Sequence, residues 1–262
     1  MLDPAAYLKR IGYSGPKDPT ASVLINIHRA HMLSVPFENL DIFLGREIIC
    51  DERRLVRKIV EENRGGFCYE LNGALAALLR RLGFRVTLLS ARVPRPDGSL
   101  APEFDHLTLR VDLDDPWLAD VGFGDLFLEP LKLIPGVEQE QAGRKFRISQ
   151  LNDSFLLERT EADASWKKQY VFTLQPRQLA EFASMCRYHQ TSPESHFTQK
   201  RLCSLATADG RITLSDRRLI ITVDGRKEER ILGSDDEWQR ALKEYFGIVL
   251  SSDREGHEGT RR

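Results

Sequence analysis

Three observations predict an α+β fold: a helical N-terminal third, a middle of short alternating strands, and a final segment where helix and strand mix. Up to about residue 83, apolar residues recur at helical spacing in "ASVLINIHRAHML" (21–33), in "DERRLVRKIVEEN" (51–63) and in a third helix starting near Cys68. In that third helix Leu71, Leu75, Leu78, Leu79 and Leu82 form one stripe. Arg80 and Arg81 suit its negative end, and Gly83 suits the position just past it. From Val86 to about Leu174 the chain reads as strands: "RVTLLSARV", "HLTLRV", "WLADV", "KFRISQ", "SFLLER" and "QYVFTL". A helical "RQLAEFASMCRYHQ" (177–190) follows. Strands then return in "RITLSD" and "RLIITVDGRKEERIL", the latter folded at Asp224–Gly225, a strong hairpin signal. Ser234 to Glu237 is a capping box that opens a last helix with Trp238, Leu242, Tyr245 and Phe246 on one face. The polar tail 251–262 is expected to be disordered.

Composition narrows the function. A net charge of −1 with 29% charged residues leaves no polybasic footprint, so nucleic acid is not an expected partner. No run of apolar residues approaches a membrane span, and the N-terminus lacks the apolar core of a signal peptide. The four cysteines, Cys50, Cys68, Cys186 and Cys203, show neither a C-x-x-C pair nor zinc spacing, so no metal is expected. The expectation is a soluble cytoplasmic protein with reduced thiols.

Cys68 stands between the double glycine Gly65–Gly66 and its helix. In a first helical turn, unpaired backbone N–H groups and the macrodipole favour a thiolate. Glu70 pulls the other way, so a nucleophilic Cys68 needs a base and a group to orient that base. Of six histidines, His28 and His31 sit on an apolar helix and read as structural, His189 and His196 remain open, and His257 lies in the tail. His106 begins a strand on which His106, Thr108 and Arg110 share one face, while Leu107, Leu109 and Val111 share the other. If the turn "DLDD" is centred on Leu113, His106 faces Asp120, Leu107 faces Ala119 and Leu109 faces Trp117. A turn at Asp114–Asp115 instead pairs Asp120 with Arg110, and the pattern alone leaves both registers open. Beyond Asp120, "VGFGD" places Gly122 and Gly124 where backbone approaches a ligand or another segment, without the third glycine of a dinucleotide fingerprint.

Together these stretches resemble the arylamine N-acetyltransferase family: "VPFENLDI" (35–42), "RGGFCYELN" (64–72), "DHLTL" (105–109), "DVGFG" (120–124), "FTLQPRQLAEF" (172–182) and "YHQTSPESHF" (188–197). The resemblance implies an N-terminal helical bundle (1–83), a β-barrel-like domain (84–187) and a C-terminal α/β lid (188–250) around a cysteine-protease-like core. It implies a catalytic triad of Cys68, His106 and Asp120. It also implies an acceptor pocket lined by Phe37, Phe123 and Phe197, which taken alone read as core aromatics. Coenzyme A is implied at the barrel–lid junction near Thr108, Gly122 and Gly124. Glu38 and Arg64 read as an ion pair bracing the cysteine loop.

The activity implied is ping-pong transfer of acetyl from acetyl-CoA, through acetyl-Cys68, to an arylamine, arylhydrazine or N-hydroxyarylamine. The alternatives are a cysteine hydrolase, peptidase or amide synthase using the same triad, and a non-catalytic thiol-sensing scaffold.

Overall fold

The computed structural model describes residues 3–250, so the expected disordered tail lies outside the described residues. The chain opens with α1 (Pro4–Arg10), capped by Asp3, and α2 (Ala21–Ser34), capped by Thr20. Next come the two-residue strand β1 (Phe37–Glu38), the short α3 (Leu40–Phe43) and α4 (Glu52–Val60), capped by Asp51. Helix α5 (Cys68–Arg81) has Cys68 as its first residue and is buried from Cys68 through Leu79. A helix buried on every side needs few polar residues, and Glu70 and Asn72 are its exceptions.

The middle of the chain forms β2 (Arg85–Arg92), β3 (His106–Asp112), β4 (Pro116–Ala119), β5 (Leu131–Lys132), β6 (Glu138–Gln141), β7 (Arg144–Leu151), β8 (Ser154–Thr160) and β9 (Trp166–Thr173). These make one eight-stranded sheet ordered β5-β4-β3-β2-β9-β8-β7-β6. Its end strands are bridged by glutamine side chains. The Gln139 amide accepts from the Lys132 N–H (2.8 Å) and donates to the Lys132 carbonyl (2.9 Å). Gln141 does the same to Glu129, at 2.9 and 2.8 Å. These side chains stand in for a backbone ladder, so the sheet curls into a nearly closed barrel.

The β3–β4 hairpin pairs Leu109 with Ala119, Arg110 with Leu118, Val111 with Trp117 and Asp112 with Pro116. Both registers considered from the sequence are therefore replaced. The loop is Leu113–Asp115, and Pro116, which has no N–H to give a ladder, opens the returning strand. The apolar face is preserved because the pairing moves by two residues, the period of the pleat.

After β9, the helical stretch expected at 177–190 is a 3₁₀ turn (Leu179–Phe182) followed by α6 (Ala183–Thr191). Helix α6 runs across the 187/188 boundary. A 3₁₀ turn at His196–Thr198 leads to β10 (Leu202–Ala206), β11 (Gly210–Ser215), β12 (Arg218–Val223), β13 (Arg226–Ile231) and α7 (Asp235–Phe246). The Asp224–Gly225 turn has φ of 46° and 77°, as a two-residue hairpin with two left-handed positions requires. The second sheet is ordered β1-β10-β11-β12-β13, so residues 37–38 of the N-terminal region supply its first strand.

Candidate active site

The double glycine admits a neighbouring segment. A Cβ on Gly65 would collide with the Pro36 carbonyl, and one on Gly66 would meet the Glu70 side chain at 2.6 Å. Without side chains there, Gly66 N–H donates to Pro36 (3.3 Å) and Glu38 N–H to Gly66 (2.9 Å). Beneath this contact is a buried charge cluster. Arg64 bonds Glu38 (2.7 Å) and Asp41 (2.9 Å), and Lys58 bonds Asp41 and Glu70, each at 2.7 Å. Glu38 and Arg64 thus brace the cysteine loop, as expected, with three further charges that the sequence did not reveal. Glu70 also accepts from the Phe67 N–H at 3.1 Å, capping α5. Burial raises the Glu70 carboxyl, against the pull of Lys58, to about 7. Burial opposes the charge on Lys58 too, but its three carboxylate neighbours outweigh that and hold it protonated.

Cys68 is 3% exposed. Asn72, one turn further along α5, donates to the Leu107 carbonyl at 2.6 Å and so holds the start of β3, where His106 lies, against the first turns of the helix. Burial pushes the Cys68 thiol well up, the Asp105 and Asp120 charges push the same way, and the nearby Leu107 and Tyr69 backbone opposes them. The helix-start effect read from the sequence is therefore outweighed, and ionisation depends on a nearby proton acceptor.

His106 Nε2 meets Asp120 Oδ2 at 2.7 Å, and both residues are buried. The contact forms although the two are not directly opposed. Asp120 lies one residue beyond β4, and His106 reaches it diagonally on the shared face. Asp120 Oδ1 accepts from Asn72 Nδ2 (2.9 Å) and from the Gly122 N–H (3.0 Å). Burial would raise this carboxyl, but His106, Asn72 and Gly122 together hold it below its usual value.

Sequence reasoning missed two residues that fix Asp120. Asn72 Oδ1 accepts from Val121 N–H (2.9 Å), and its Nδ2 also donates to the Leu107 carbonyl (2.6 Å). The signal was present: Asn72 is a polar residue one turn after Cys68 on the same face of a buried helix. The other is His28. Its Nε2 accepts the Asp120 N–H at 3.1 Å, which fixes the ring proton on Nδ1, facing the Leu128 carbonyl at 2.8 Å. Burial lowers the His28 imidazole to about 4, so it stays neutral.

The aromatic residues fall into two groups. Phe37 and Phe197 lie 6.2 Å apart, ring to ring, with Gly124 against Phe37. Phe123 packs edge-on against His106 at 5.2 Å. Gly122 is pressed on the backbone of Cys68, where a Cβ would sit 2.7 Å from the Cys68 Cα. Thr108 is fully buried, with its hydroxyl 3.3 Å from both the Ala119 carbonyl and the Tyr170 hydroxyl, so it offers no surface to a ligand.

The sequence and fold are shared by known proteins. A family model described as N-acetyltransferase matches residues 20–255. An arylamine N-acetyltransferase of Gallus gallus, pineal gland isozyme NAT-3, is 36% identical over 95% of both chains. The chain belongs to the arylamine N-acetyltransferase family. The solved Salmonella typhimurium member superposes with a TM-score of 0.90 at 31% identity, covering 97% of this chain and 94% of that one. A Mycobacterium marinum member, solved in complex with CoA, gives 0.87 at 32% identity over 94% and 93% of the two chains. The family's α+β architecture is the one seen here: helices, a barrel-like sheet and a smaller second sheet.

Proposed function

We propose that this protein transfers an acetyl group from acetyl-CoA to an aromatic amine or hydrazine through acetyl-Cys68. The observation that carries this reading is the buried His106–Asp120 pair, tied by Asn72 to the helix that Cys68 opens, with Gly122 against the Cys68 backbone. With Nε2 held by Asp120, Nδ1 is the nitrogen that exchanges a proton with the thiol. Because burial disfavours a lone thiolate, the proton moves to His106 and Asp120 balances the resulting imidazolium.

Cys68 attacks the thioester carbonyl, and the C–S bond to coenzyme A breaks as the leaving thiolate takes the proton from His106. The Cys68 N–H, at the first position of α5, has no intrahelical acceptor and is the donor we assign to the oxyanion. The amine then attacks acetyl-Cys68 while His106 takes its proton, returning the free thiol. An aryl ring suits Phe37 and Phe197 on one side and Phe123 on the other. Gly124 is the glycine we assign to the coenzyme A approach, since it is half-buried and bare of side chain beside Phe37. Gly122 and Thr108 support the site from behind. Among the described residues no helix is long and apolar enough to cross a membrane, and we assign the activity to the cytoplasm, where the four free thiols stay reduced.

The test is coenzyme A release from acetyl-CoA with and without an arylamine, together with the mass of the intact chain. Amine-dependent release and a single acetyl group on Cys68 are expected. Release without amine would make the protein a hydrolase. Acetylation at Cys50, Cys186 or Cys203 would move the nucleophile.

A further inference from the structure

Cys50 and Cys186 stand outside the reaction just described, yet they face the same cavity. Cys50 is half-buried in the stretch leading to α4, and Cys186 is buried in α6. Both line one cavity of about 490 Å³, together with Ile48 and Gln190. The two segments are clamped around them. Ile48 N–H donates to Gln190 Oε1 at 2.7 Å, and Gln190 Nε2 returns a bond to the Ile48 carbonyl at 2.9 Å. Gln190 Nε2 also lies 3.2 Å from Cys186 Sγ, which is 3.7 Å from the Ile48 carbonyl. The neighbouring Cys50 sulfur, together with burial, pushes the Cys186 thiol up, so it keeps its proton. Cys50 is thus the sulfur that a small molecule in the cavity reaches first, with a protonated thiol behind it.

We propose that Cys50 and Cys186 form a dithiol site, separate from Cys68, that reacts with a hydroperoxide and closes into a disulfide tying the segment before α4 to α6. Cys50 sulfur, as thiolate, attacks the terminal peroxide oxygen. The O–O bond breaks, water or an alcohol leaves, and Cys50 becomes a sulfenic acid. Cys186 sulfur then attacks Cys50 sulfur, the S–O bond breaks, and hydroxide departs as water with the Cys186 proton. Two thiols are oxidised by two electrons, and the hydroperoxide is reduced by the same two. The bridge anchors α6, whose C-terminal end leads to Phe197, while Cys68 keeps its thiol.

The experiment treats the full-length chain with one equivalent of hydrogen peroxide, alkylates the remaining thiols in denaturant, and maps peptides without reduction. A peptide joining Cys50 to Cys186 is expected, released by dithiothreitol, with Cys203 recovered as the alkylated thiol. Cys50→Ala, a change at a half-buried position, should abolish the link and leave Cys186 alkylated while keeping acetyl transfer. Cys186→Ala should abolish it as well and leave Cys50 open to sulfinic acid. Cys50 reaching sulfinic acid in the unsubstituted chain, Cys50 linked to Cys68, or both thiols intact after Cys68 has oxidised would each overturn the proposal.

Discussion

Two fully buried carboxylates flank Cys68, and burial treats them differently. Asp120 is held below its usual pKa, whereas Glu70 is raised to about 7. The difference lies in the donors rather than the depth. Asp120 has the imidazole, an amide N–H and a backbone N–H to itself, whereas Glu70 has a single backbone N–H, from Phe67. Glu70 competes with Glu38 and Asp41 for two cations, so three carboxylates share Lys58 and Arg64. A charge partner and donors dedicated to one anion outperform cations divided among several.

The largest effect expected from breaking this contrast is at Asp120. Asp120→Asn keeps the shape but removes the charge that favours the imidazolium, and should lower kcat by a factor on the order of 10⁴. Cys68 alkylation by iodoacetamide should also move to more alkaline pH. Alkylation that titrates as in the unsubstituted protein would remove Asp120 from the triad.

Arg64→Met leaves Glu38 short of its nearest cation and should cost about 3–5 kcal/mol in urea unfolding. A loss under about 1 kcal/mol would show that the cluster tolerates a missing partner, contrary to its burial. His28→Phe leaves the buried Asp120 N–H without its acceptor and should cost about 1–3 kcal/mol. It should lower kcat more than it raises KM for the amine, since its contact is with Asp120 of the proposed triad. An equal change in both would make His28 a packing residue.

The smallest effect is a pH slope. Asp120, depressed in the fold, stabilises the native state above its unfolded pKa of about 3.9, and that contribution is lost as pH falls through the folded value. Glu70, raised to about 7, works in the opposite sense: its contribution is present below the unfolded value and fades as pH rises towards 7. Glu70→Gln should therefore flatten the stability profile between those pH values, by at most about 1.4 kcal/mol per pH unit. An unchanged profile would put the shared proton elsewhere in the cluster.

How much of this was legible depended on sequence distance. The α5 stripe, its Cys68 start and the Asp224–Gly225 hairpin follow from local periodicity and turn chemistry, and the structure has them where they were read. The β3–β4 register did not follow, because the pleat repeats every two residues and alternation cannot separate registers two apart. Pro116 was the overlooked cue, since a residue without an N–H belongs at the strand's start. His28 was read as structural because nothing local joins it to Asp120, 92 positions away. The Cys50–Cys186 pair was likewise invisible: two thiols 136 positions apart in sequence show no spacing rule until α6 and the α4 approach are brought together.

The barrel seam has a consequence for how the chain behaves among its neighbours in a crowded solution. An open strand edge is a template on which another chain can add its own strand, the first step towards aggregation. At β5 and β6 that template is already occupied, because Gln139 and Gln141 take up the Lys132 and Glu129 backbone groups. The second sheet ends differently. Its outer strand β13 is an exposed run of Arg226, Lys227, Glu228, Glu229 and Arg230, so an approaching apolar strand would have to strip water from charges. One edge is masked by amides and the other defended by charge, which leaves the second edge alone sensitive to salt.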